Sequence, residues 1–252
     1  MRPTFPQEVI DELVDWVAAN SVGQKDPHLR SCSLVARNWV ERSRQHLFHT
    51  IELASTSNIS NWIRDVRPGA YGVSKYVRRL WMGCNWDLWS RRFPSVEHLR
   101  SFTHVGELRL TYWYGGHATK EEVEEAFRVL GLSVRSLSVS LPRGDMGSFL
   151  HLLSLFPHLD DLSIWTSSLE ESQSPLPKNA VAVRKMLVLD GAQEHFAHAL
   201  IGSGLKPKIL KISIPHLISY DGLLTACAPS VEAIVLSPTF GPCLLILGRR
   251  NR

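Results

Sequence analysis

From residue 51 onward the chain alternates apolar and variable positions in short bursts. Two apolar residues flank one variable residue at Ile51/Leu53, Leu80/Met82, Leu108/Leu110, Leu137/Val139, Leu162/Ile164, Leu187/Leu189, Leu210/Ile212 and Ile234/Leu236. Alternation with a period of two predicts strands with one buried face. The bursts recur every 23 to 29 residues, as expected of a structural unit that stacks on copies of itself. Between two of them the period changes. Residues 119–130 predict a helix, with Thr119 as N-cap, Glu121 and Glu122 in the first turn, and Val123, Phe127 and Leu130 on one face. Residues 149–156, 192–200 and 219–228 are shorter helical candidates. A strand followed by a helix, repeated, predicts a curved parallel sheet with helices outside.

The first fifty residues read differently. Pro6 suits the first turn of a helix, Glu8 is an acid near its positive end, and Val9, Ile10, Leu13, Val14 and Val17 form one apolar face. Asp26-Pro27 is a second start signal, after which Leu29, Cys32, Val35 and Trp39 continue at helical spacing. The polar run from Arg42 to His46 then separates Trp39-Val40 from Leu47-Phe48 and predicts a third short helix or helical turn. Three such helices bury too little surface to be comfortable alone, so they need a neighbour.

Composition narrows the class. At 252 residues, 44% hydrophobic and 21% charged, the chain can bury a sizeable core. Its net charge of +4 is modest and its Lys and Arg residues are spread along the chain, so no polyanionic partner is required. Cys32, Cys84, Cys227 and Cys243 have neither CxxC spacing nor a paired framework, which suits a reducing compartment. No apolar leader precedes the first helix, and Pro238 and Pro242 break up an apolar stretch too short to span a bilayer. A cytoplasmic or nuclear location is expected, with no membrane partner.

Two stretches break the repeat. Residues 167–177 are rich in Ser, Pro and Glu and predict an exposed loop. Residues 81–89 carry three tryptophans with no simple period, and Phe93-Pro94-Ser95-Val96-Glu97-His98-Leu99 approaches a strand that begins only at Leu108. No register is assigned between residues 83 and 107.

The N-terminal pattern resembles an F-box, in particular that of fungal F-box-like proteins. The matching residues are Phe5-Pro6-x-Glu8-Val9-Ile10-x-x-Leu13-Val14 and Cys32-Ser33-Leu34-Val35-Ala36-Arg37-Asn38-Trp39. The match covers about a fifth of the chain, and Phe5 stands where the family more often has leucine. Phe156-Pro157-His158-Leu159-Asp160-Asp161-Leu162-Ser163-Ile164 resembles the LxxLxL core of a leucine-rich repeat. The expected fold is therefore α/β: a short three-helix F-box-like module over residues 1–50, then an irregular leucine-rich-repeat solenoid with a curved parallel sheet over residues 51–252. The resemblance implies docking on the Skp-family adaptor of a cullin-RING ubiquitin ligase through Phe5, Pro6, Val9, Ile10, Leu13, Cys32, Val35 and Trp39. A protein substrate would then be held by the solenoid. A leucine-rich-repeat scaffold without a ligase role, capped by its N-terminal helices, is the alternative.

If the apolar pairs face the core, their neighbours face the concave surface. These are Trp81, Arg109, Thr111, Trp113, Ser138, Ser163, Trp165, Lys211 and Ser237. Trp81, Arg109, Trp113, Trp165 and Lys211 are the candidate substrate contacts, since aromatics and Arg dominate binding hot spots. Trp113 and Trp165 could equally pack beneath loops at strand ends.

No catalytic constellation emerges. Tyr71-x-x-x-Lys75 has a dehydrogenase spacing, but no Gly-rich dinucleotide loop precedes it. His195 and His198 share a helical face without a third ligand, and no nucleophile elbow, phosphate loop or calcium loop occurs. Neither enzymatic activity nor a metal or cofactor is expected. Arg37, Arg42, Arg44, Arg78-Arg79 and Arg91-Arg92 lie outside any nucleic-acid-binding motif, so nucleic acid is not expected as a partner.

Overall fold

The computed structural model describes residues 5–20, 27–53, 72–83, 97–111, 121–141, 146–166, 183–190, 200, 205–214, 225, 228–238 and 243–245. The protein is α/β. Three helices come first: α1 (Gln7–Ala19), α2 (Pro27–Val35) and α3 (Arg37–Leu47). Eight strands follow: β1 (Thr50–Leu53), β2 (Arg79–Gly83), β3 (Glu107–Thr111), β4 (Ser136–Leu141), β5 (Asp161–Thr166), β6 (Met186–Asp190), β7 (Ile209–Ile214) and β8 (Ala233–Pro238). They form one open sheet in chain order, each strand parallel to the next. A ninth strand, β9 (Cys243–Leu245), runs antiparallel along β8. Between strands stand a one-turn helix α4 (Glu97–Arg100), α5 (Glu121–Gly131) and α6 (Met146–Ser154).

The eight apolar pairs fall in two continuous rows. One runs Ile51, Leu80, Leu108, Leu137, Leu162, Leu187, Leu210, Ile234, and the other runs Leu53, Met82, Leu110, Val139, Ile164, Leu189, Ile212, Leu236. All are buried except Leu236, which is partly so. A third buried position lies three residues before the first apolar residue of most strands, at Val77, Val105, Val134, Leu159 and Val231. Phe127 and Leu130 of α5, and Phe149, Leu150 and Leu153 of α6, close the core together with Phe156. The Phe127 and Phe156 rings meet tilted at 6.2 Å, a favoured aromatic arrangement.

A backbone motif repeats at the head of the strands. The carbonyls of His49, Arg78, Gly106, Arg135, Asp160, Lys185 and Lys208 each accept two successive N–H groups from the next unit, at 2.7 to 3.2 Å. One carbonyl with two lone pairs thus fixes the register of each new strand against the last. Where α5 meets the segment after α6 there is no room for a side chain: a Cβ on Gly131 would lie 2.0 Å from the Leu155 carbonyl oxygen.

Several expectations change. The face assigned to Val9, Ile10, Leu13, Val14 and Val17 splits in two: Ile10 and Val14 are buried, Val17 is partly buried, and Val9 and Leu13 are exposed. A single helix with neighbours on one side can cover only one stripe. The second helix does not run on through Trp39, because Ala36 is extended (φ −160°, ψ 162°) and starts α3 afresh. Pro6 is the residue before α1, and its carbonyl accepts the Ile10 N–H at 3.3 Å. The unassigned stretch before β3 contains α4 and the buried residues Leu99, Phe102 and Val105. The residues Thr119, Asp26, Tyr71, Trp86, Trp113, His195, His198 and the segment 167–177 lie outside the described residues, as do most of the helical candidates at 192–200 and 219–228.

Candidate functional site

Two surfaces are built from the residues singled out in the sequence. The first lies on the helices. Val9, Leu13 and Trp16 of α1 are spaced i, i+4 and i+7, so they stack on one side of the helix, and Phe5 stands just ahead of it. All four are exposed, Phe5 and Trp16 by 69% and 67%. Leu34 and Val35, at the end of α2, are exposed by 84% and 63%. Gln7 Nε2 donates to the Asn38 carbonyl at 3.1 Å. That bond sets the start of α1 beside the α2–α3 junction, where Leu34 and Val35 stand.

Beneath this surface the module has a small core of its own. Ile10, Val14 and Leu29 are buried; Cys32 and Trp39 are partly so, and Pro6 is exposed. Of the eight expected adaptor contacts, Phe5, Pro6, Val9, Leu13 and Val35 therefore reach the surface, while Ile10 holds the helices together. Polar contacts complete the joint. Asp15 accepts both Arg42 Nε and Nη2 at 2.6 Å, with His46 Nε2 at 2.7 Å from the same carboxylate. Such a two-pronged guanidinium pair fixes geometry as well as charge. The Arg42 hydrogen bond, followed by His46, holds the Asp15 carboxyl down at about 2 against partial desolvation.

The module sits on the first repeat. Tyr76, in the 3-10 turn Val73–Tyr76, donates its hydroxyl to Glu41 of α3, and Lys75 Nζ lies 3.3 Å from the same carboxylate. The Tyr76 bond, ahead of Lys75, holds the Glu41 carboxyl below its ordinary value. Beside this joint a cleft of about 440 Å³ is lined by Arg42, His46, His49, Tyr76, Arg78 and His104, among others. Burial, then the nearby Arg79 and Arg78, pushes the His49 imidazole pKa down.

The second surface is the sheet face opposite the core. By register its middle row reads Glu52, Trp81, Arg109, Ser138, Ser163, Val188, Lys211, Val235. Arg109 is exposed, and its guanidinium carbon lies 5.4 Å from the Trp81 ring and 5.7 Å from the Trp165 ring. Trp81 is its direct neighbour on β2. Trp165 reaches it from β5 across β4, whose outward residues Ser136, Ser138 and Ser140 are small. A guanidinium stacked on aromatic rings is attracted by their negative faces. The Trp81 Nε1 is buried and meets no hydrogen-bond partner among the described residues. The structure thus brings Trp81, Arg109 and Trp165 together. Lys211 stands on the same face but four strands from Arg109.

Sequence reasoning missed Trp16 and Leu34 as surface residues. The signal for Trp16 was present, since it continues the Val9–Leu13 spacing by one turn. Among the described residues, no group of three or more His, Cys, Asp or Glu is placed to hold a metal ion. No helix among them is long and apolar enough to cross a membrane. Comparison of the chain with protein-family models and with curated proteins finds no match to either. The fold therefore defines the class at the level of an α/β protein on an open parallel sheet, and the two surfaces carry the functional reading.

Proposed function

We propose that the chain is a substrate-recognition adaptor of a Skp-cullin-F-box ubiquitin ligase. Its three-helix module docks on the Skp-family adaptor, and its sheet, read as an irregular leucine-rich-repeat solenoid, holds a protein substrate. It carries no chemistry of its own. The observation that carries this reading is the exposed apolar row Phe5, Val9, Leu13 and Trp16, with Leu34 and Val35, on a module that buries Ile10, Val14 and Leu29 beneath them. Six large apolar side chains kept in water call for a protein surface to cover them, and they fall within the segment that resembles an F-box. The leucine-rich-repeat reading draws support from the one-way strand order and from the repeated carbonyl motif at the strand heads.

The test is co-purification of the full chain with a Skp-family adaptor and a cullin, from cells and from purified components. Recovery of both supports the reading. Recovery of other proteins but never those two favours the second reading, a repeat scaffold without a ligase role. That reading has an observation of its own: the Glu41, Tyr76 and Lys75 contacts seat α3 on the first repeat, as a cap would sit.

A further inference from the structure

The open face of the sheet divides into two halves. Toward β1–β5 its outward residues are charged, aromatic or serine: Arg79, Trp81, Glu107, Arg109, Ser138 and Trp165. Toward β6–β8 apolar residues join them: Met186, Val188, Ile209, Ala233 and Val235 stand there with Asp190, Lys211, Ser213 and Ser237. Ile209 is exposed by 37%, one of only two exposed large apolar residues in the described sheet domain.

Arg109 is the feature at the centre of the first half. Glu107, which points the same way two residues earlier, is engaged by Arg79 Nε at 2.8 Å. Among the described residues no carboxylate pairs with Arg109. Its guanidinium carbon lies 5.4 and 5.7 Å from two indole rings, contacts that use the cation's charge without occupying its N–H donors. Those donors match the fork of a carboxylate. Long side chains elsewhere would lose rotamer freedom on binding, but this one is already held by its neighbours.

We propose that this face binds an extended peptide with an acidic side chain seated on Arg109 between Trp81 and Trp165, and an apolar side chain over Val188. The inference rests on the reading of the sheet as the substrate-holding part and names the class of substrate. The spacing follows from the register. Arg109 and Val188 are three strands apart in one row, about 14 Å at the usual strand separation, or about four residues of extended chain. Ser138 and Ser163 present hydroxyls along this row, beside the Trp165 indole that leans across β4. The face as a whole is not basic, because Glu52, Asp161 and Asp190 also stand on it. Attraction is therefore local to Arg109, which suits one acid at a fixed place and disfavours a polyanion such as nucleic acid.

The experiment uses the purified full chain and fluorescein-labelled octapeptides of the pattern Glu-x-x-x-Leu, with Ala or Ser elsewhere, read by polarisation and by quenching of the tryptophan emission. The expected result is that replacing Glu by Gln, or Leu by Ser, weakens binding about tenfold or more. Arg109→Gln should erase the preference for Glu over Gln. Arg109→Lys, which keeps the charge but loses the fork, should retain only part of it, and it serves as the second variant if Arg109→Gln fails to fold. No binding by any octapeptide up to about 1 mM, an unchanged Glu preference in Arg109→Gln, or tighter binding of a single-stranded oligonucleotide would each overturn the proposal. No ligase component enters the assay. A chain that fails to bind the Skp-family adaptor can thus still pass, and one that binds it can still fail.

Discussion

The helical module and the sheet domain treat their apolar residues in opposite ways. Between Ile51 and Ile234 the sheet domain buries its apolar rows almost completely, and among the described residues only Leu132 and Ile209 remain as exposed large apolar side chains. The module buries Ile10, Val14 and Leu29 but leaves Phe5, Val9, Leu13, Trp16, Leu34 and Val35 in water. Among the described residues the sheet domain thus keeps only two large apolar side chains in water where the module keeps six, and that imbalance is what the docking proposal accounts for.

The contrast is sharpest in mutational cost. Phe127→Ala, which empties a core position against Phe156, should destabilise the chain by about 3–5 kcal/mol in denaturant unfolding. Trp16→Ser, on the exposed row, should change stability by no more than about 0.5 kcal/mol. Equal losses would show that the exposed row is structural after all. Gly131→Ala comes next. The added methyl has backbone, not a flexible side chain, in its way, so a loss of about 1–3 kcal/mol is expected. A neutral result would mean that α5 and the segment after α6 can move apart, and that the sheet domain is less tightly packed than its burial implies.

How much of this was legible in the sequence differs between the two regions for the same reason. The strands β1 to β8 could be read because each presents an apolar pair flanking a variable residue, and every such pair occupies the two core rows. The recurring buried residue three places earlier, as at Val77 and Val105, was read only before Leu162, because it is often a valine and lies outside the alternating part. The strand β9, which pairs along β8, escaped because three residues give no period. In α1, periodicity could not distinguish Val9 and Leu13 from Ile10 and Val14. Hydrophobic spacing marks residues that want burial, not what buries them. The break at Ala36 was invisible for a related reason: Leu29, Cys32, Val35 and Trp39 keep helical spacing across a residue whose backbone is extended. Trp81, Arg109 and Trp165 could be assigned to one face from the alternation. Their stacking depended on the exact register of β2, β3 and β5 and on the small serines of β4.

The smallest expected effect concerns the joint inside the module. The Asp15 carboxyl titrates at about 2 in the folded chain, below its ordinary 3.8. It therefore stabilises the module above pH ~4 and loses that contribution as the pH falls from there toward 2. Asp15 and Arg42 are more than a third exposed, so screening should hold the gain below about 1 kcal/mol. Asp15→Asn should flatten the melting temperature of the module between pH 4 and pH 2 relative to the unmodified chain. An identical pH profile in both would mean that the Arg42 pair adds nothing to the module's stability.

If the exposed row is a docking surface, a single titration should show it. The affinity of the purified chain for a purified Skp-family adaptor would be measured by calorimetry for the unmodified protein and for the double variant Leu13→Asp, Trp16→Asp, with circular dichroism and melting temperature recorded for both. Two apolar anchors worth roughly 1.5–3 kcal/mol each predict a loss of at least about a hundredfold in affinity with the fold intact. An adaptor that binds both proteins equally, or binds neither while the unmodified chain is folded, would contradict the account.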